Sequence, residues 1–160
     1  MKYWKKPKDE HIVYEAFTAV ADARVEKSGE GKYKCFSSSG NKFYSLTLEK
    51  EGESFSFMSD DNMAYYRKEF SYPILAVLIL EKIIPVDTQV LNHFKNIFWK
   101  EINTKNKNDY MKSVREVLEG LAEKDIDVIK IENQVSEIFT KICNTDFGVL
   151  GNFKVSEKTF

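Results

Sequence analysis

Hydrophobic and polar positions recur along this chain with two different periods, and the change of period divides it into elements. In "DEHIVYEAFTAVAD" (9–22), Ile12, Ala16, Phe17 and Val20 fall at the spacing that places them on one helical face. Asp9 and Glu10 at its start suit the positive end of the helix dipole. Four strand-like runs follow: "ARVEK", "KYKCFS", "KFYSLTLEK" and "SFSFMS". In the third, Tyr44, Leu46 and Leu48 alternate with Phe43, Ser45 and Thr47. In the fourth, Phe55 and Phe57 share a face. The connections "SGEG", "SSGN" and "EGE" are short and contain glycine, which predicts consecutive antiparallel pairing.

The polar-then-aromatic run "SDDNMAYYRKEF" predicts a loop with a helical turn. Pro73 opens a helix to about residue 83 that is apolar almost all round, hence buried on most sides. Beyond Pro85 the period is helical throughout. Asp87 caps a helix to about Asn103, with Val90, Leu91, Phe94, Ile97, Phe98 and Ile102 facing in. The loop "NTKNKND" leads to a helix capped by Asn108 or Asp109, with Met111, Val114, Val117, Leu118 and Leu121 inward. After "KDID" a last helix (127–144) turns Val128, Ile131, Val135, Ile138, Phe139 and Ile142 inward. Residues 147–160 have no clear period and read as a tail or one added strand.

The predicted class is therefore α+β: a four-stranded antiparallel meander flanked by helices, with a helical C-terminal half. Residues 1–84 form the helix–meander–helix region, 85–146 a helical region packed on it, and 147–160 the tail, together one compact domain.

Composition narrows the function. A chain of 160 residues can bury roughly 70% of its unfolded surface, so no disulfide or metal staple is needed. The net charge of −1 lacks the basic excess of a non-specific nucleic-acid binder, and it is evenly balanced on either side of Pro85. Cys35 and Cys143 are far apart, and low cysteine with abundant lysine suits a reducing cytoplasm. "MKYWKKPK" has no apolar region behind it, so it does not read as a signal peptide but as a basic, frayed end. The run "ILAVLIL" is far short of the roughly 20 residues of a membrane span.

The order helix, meander, aromatic-ended loop, apolar helix resembles the SWIM zinc-finger domain. The likeness rests on "EAFTAVADARVE" (15–26), "CFSSSGNKFYSLTLE" (35–49), "FSF" (55–57) and "SYPILAVLIL" (71–80), and covers roughly residues 12–82. SWIM domains carry Cys-x-Cys and then Cys-x-His leading into such a helix. Here the matching pairs are Phe55/Phe57 and Ser71/Pro73, which supply no thiolate or imidazole, whereas zinc takes about four N, S or O ligands. The resemblance implies a DNA-binding or protein-interaction module. With the ligands gone it carries a fold and no functional residue. Phe55, Phe57 and Pro73 are expected to form a core in place of the metal, worth on the order of 3–6 kcal/mol for two buried rings.

Other constellations give little chemistry. His11, His93, Cys35 and Cys143 have no ligand spacing, and "DD" (60–61) and "DID" (125–127) lack a calcium-loop pattern, so loop solubility and helix capping explain them. "SSSG" sits between strands, the wrong setting for a nucleophile, and no phosphate loop is present. Lys95, Lys100, Lys105, Lys107 and Lys112, with Trp99 and three asparagines nearby, are the candidate phosphate contacts.

The expectation is a non-catalytic binding module without a cofactor, acting on a protein partner or a second copy of itself. The alternative is a nucleic-acid-associated accessory protein using the Lys-rich segment. A third reading, an enzyme with dispersed residues, requires a deep polar pocket.

Overall fold

The computed structural model describes residues 2–150. The first helix, α1 (His11–Ala21), leads into strands β1 (Val25–Gly29), β2 (Lys32–Phe36), β3 (Phe43–Glu51) and β4 (Ser54–Ser59). These pair in sequence order and antiparallel, as the short glycine turns predict. Gly31 sits at φ 66°, and a Cβ there would lie 2.8 Å from the Leu48 carbonyl oxygen, so the first turn requires glycine. Register puts Val25 opposite Cys35, Tyr33 opposite Leu46 and Leu48 opposite Phe57. These side chains make up the covered face of the sheet.

The sheet has five strands rather than four. Strand β5 (Gly148–Val149) adds parallel to β4, through Ser56 and Phe57. Of the predicted tail, residues 147–150 pack here; the rest lies outside the described residues.

The N-terminal residues are not frayed. Trp4 N–H donates to the Phe147 carbonyl and Val149 N–H to the Lys2 carbonyl, both at 2.9 Å. Lys5 N–H donates to Lys68 (2.8 Å), and Phe70 N–H donates back to Lys5 (2.9 Å). The segment thus occupies two backbone edges that would otherwise stay unpaired, and it buries the Trp4 ring.

Helix α2 (Asn62–Arg67) is the predicted helical turn, and α3 (Tyr72–Leu80) is the proline-led apolar helix, buried from Pro73 to Ile79. It packs against α1 and the sheet. The expected helix from Asp87 to Asn103 is two pieces, α4 (Thr88–Asn92) and α5 (Trp99–Lys105). Asn96 adopts φ 58° between them, and its N–H donates to the Asp22 carboxylate at 2.9 Å. The break rotates the following residues. Phe98, expected inward, is 57% exposed, and Trp99 enters the core instead, its indole N–H donating to Thr18 Oγ1 at 2.9 Å.

Helices α6 (Tyr110–Glu123) and α7 (Val128–Cys143) are capped by Asp109 and Asp127, and bury Val114, Leu118 and Leu121, and Ile131, Val135, Ile138 and Ile142. One hydrophobic cluster joins both halves, with α1 touching α3, α4, α6 and α7. Among the described residues no helix is long and apolar enough to cross a membrane.

Candidate functional site

A cavity of about 470 Å³ opens between α1, the sheet, the α2–α3 segment and α5. Its lining is mostly apolar, and local structure fixes several polar side chains within it. His11 and Glu15 are one turn apart on α1, and His11 Nε2 lies 3.0 Å from Glu15 Oε1. A ring nitrogen so close to a carboxylate carries the hydrogen and donates it. Asn103 on α5 places its Nδ2 3.4 Å from His11 Nε2 and 3.5 Å from Glu15 Oε1. Tyr110, at the start of α6, stacks on the imidazole with centroids 4.5 Å apart.

The second wall is acidic. Asp61 caps α2 by accepting from Ala64 N–H at 3.2 Å, and it also accepts from the Ser71 hydroxyl at 2.8 Å and from the Ser59 hydroxyl. Its carboxyl is nonetheless pushed above the usual carboxylate range, because burial outweighs the three donors. Neighbouring Asp60 is buried too and accepts from Ser45 N–H at 2.9 Å. The acidic pair is therefore not a solvated loop. Both carboxylates lie in the link between β4 and α2, and they satisfy backbone and hydroxyl donors there. Glu69, held beside the N-terminal segment, is also buried and lines the cavity.

Arg24, just past α1, is half-buried. Its guanidinium donates to the Phe36 carbonyl at 2.8 Å and interacts with Tyr72. Burial holds the Tyr72 and Tyr44 phenols above their ordinary values, so both remain hydroxyl donors at neutral pH. Lys8, Arg67 and Lys100 stand exposed around the opening.

The residues singled out from sequence are placed as follows. Phe57 is fully buried, its ring 6.1 Å from Phe147; Phe55 is half-buried beneath Lys50; Ser71 and Pro73 are buried at the start of α3. Lys95, Lys100, Lys105, Lys107 and Lys112 are all exposed, but Lys100 lines the cavity and Lys105 is ion-paired to Glu116 at 2.8 Å. His93, Cys35 and Cys143 do not line the cavity. Among the described residues no group of three or more His, Cys, Asp or Glu side chains is placed to hold a metal ion. The sequence reading does not single out Arg24 or Glu69, assigns Asp61 to loop solubility or capping, and groups Asn103 with the candidate phosphate contacts instead. One signal was available: only three of the 24 basic residues are arginine, and two of them, Arg24 and Arg67, line this cavity.

The fold carrying this cavity is matched almost end to end by one family model, over residues 4–148. The chain belongs to the family described as Uncharacterised conserved protein UCP014422. No curated protein and no solved structure matches it. The family match spans both walls of the cavity and the N-terminal segment beside Glu69.

Proposed function

We propose that this chain is a binding module for a small polar molecule held in the cavity. The observation that carries the reading is the cavity itself. Its volume lies within the roughly 300–1,000 Å³ of small-molecule sites, and His11, Asp61, Glu69 and Asn103, all buried, contribute to its wall. Buried polar side chains weaken a core unless they serve something. The expected class, a binding module, is kept; the partner becomes a small molecule in place of a protein or a second copy. Nucleic-acid association through the lysines is less favoured, since Glu116 engages Lys105 and Lys100 belongs to the cavity. The two free cysteines suit a cytoplasmic setting.

The test is a thermal-shift screen of a library of water-soluble metabolites, with Thr104→Trp as the blocked control. Thr104 is exposed and lines the cavity, so a large ring there narrows the space without entering the core. A ligand at about 100 times its Kd should stabilise the wild type by about 2.7 kcal/mol and the variant far less. A library with no hit, or hits equal in both proteins, would refute the proposal.

A second reading is favoured by the His11–Glu15 pair, an imidazole oriented by a carboxylate in the manner of a general acid–base pair. It requires that the ligand be turned over and that His11→Asn abolish turnover; a ligand recovered unchanged removes it.

We also read Phe55, Phe57 and Pro73 as core standing where a SWIM domain would hold zinc. Support comes from the full burial of Phe57 and the burial of Pro73. Stoichiometric zinc in the purified protein would count against this.

A further inference from the structure

We infer that the ligand of this cavity is a zwitterion, with an ammonium group at Glu69 and a carboxylate or phosphate at Arg24. The inference rests on reading the cavity as a binding site.

Glu69 is 6% exposed. Among the described residues its carboxylate has no hydrogen-bond or ion-pair partner, neither oxygen is fully sealed off, and the residue lines the cavity. The other acids of the wall are engaged. Asp61 takes three donors, Glu15 takes the His11 ring, and Asp9 accepts from His11 N–H at 3.0 Å. A carboxylate with little access to water and no partner among the described residues is costly to the fold, so Glu69 gains most from a cation that arrives with the ligand. Its position is also fixed: the backbone bonds from Lys5 to Lys68 and Phe70 brace it on both sides.

Arg24 is the opposite pole. Its guanidinium donates to the Phe36 carbonyl and engages the Tyr72 phenol, and among the described residues no carboxylate lies within ion-pairing distance. The planar fork suits a carboxylate or phosphate, and the Tyr44 and Tyr72 hydroxyls add donors to the same wall. Glu69 and Arg24 do not neutralise each other, since they form no ion pair. A simple cation would leave Arg24 unmatched, and a simple anion would leave Glu69 unmatched. A molecule carrying both charges answers both, and the cavity volume accommodates amino acids and dipeptides.

The experiment is isothermal titration calorimetry on the full chain. The probes are the common L-amino acids, dipeptides and phosphoethanolamine, each paired with an analogue lacking one charge: the N-acetyl derivative or the simple amine. At least one zwitterion should bind, and removal of either charge should weaken binding about tenfold or more. Glu69→Gln and Arg24→Lys should each weaken it similarly. Glu69→Gln should leave the melting temperature of the free protein unchanged or raised, because it removes a charge with no protein partner. Singly charged analogues binding as tightly as the zwitterion would overturn the inference. So would a Glu69→Gln protein that melts earlier yet binds normally. If the metabolite screen yields only neutral or singly charged ligands, the zwitterion falls and the cavity reading stands; if it yields none, both fall.

Discussion

Asp61 shows two opposing effects on one carboxyl. The Ser59 and Ser71 hydroxyls and the Ala64 N–H favour its ionised form, burial favours the protonated form, and burial prevails. The folded state therefore binds this proton more tightly than the unfolded chain. The stability it contributes is fully present below a pH of about 3.8 and is lost as pH rises through the higher folded value. Urea unfolding of Asp61→Asn across that range should show a shallower decline than wild type. Asp61→Ala, which strips a cap and leaves two buried hydroxyls without their acceptor, should cost about 2–4 kcal/mol. Cys35 gives a second prediction. It is fully buried and its thiol is pushed up to about 12, whereas Cys143 is half-buried at the end of α7. Iodoacetamide should modify Cys143 first, and Cys35 only on unfolding, as intact-mass measurements would show. The capping role of an aspartate before a helical run was legible in the sequence. Its burial was not, because two adjacent acids read alike whether they face water or the interior.

The elements divide along the same line. The meander was legible because its signals are local: period two, bounded by glycine turns. The division of the expected 87–103 helix depends on Asn96 accepting a left-handed backbone and on Asp22, far away in the sequence, receiving its N–H. No window along the chain contains both. Asn96→Gly should hold or raise the melting temperature, and Asn96→Ala should lower stability by about 1 kcal/mol. Trp99→Phe leaves the Thr18 hydroxyl buried without its donor and should cost about 1–3 kcal/mol in a denaturant titration. Strand β5 was open as one possibility and no more, since two residues cannot display a period. The cavity residues come from α1, β3 and the segments that follow α1, β4 and α2, and α5 adds more. Each looks ordinary in its own stretch, and only the packing assembles them.

At the scale of the whole molecule, α1 is the shared centre, touching the helices of both halves, and one core runs through them. The ring of Trp4 belongs to that core although its indole N–H is buried without an acceptor among the described residues. Trp4→Ala should cost about 3–5 kcal/mol. Trp4→Phe should cost much less, because it also removes the unsatisfied donor; chemical denaturation of the two variants separates the contributions.

That opening segment also sets an order of events during synthesis. Lys2 and Trp4 are translated long before their partners Val149 and Phe147. A nascent chain can assemble α1 and the meander early while Trp4 still has nowhere to dock. The carboxylate at position 69 needs only Lys5, which bonds to Lys68 and Phe70, so the binding cavity can be complete once Tyr110 has been translated, before the strand at 148 arrives to cover Trp4.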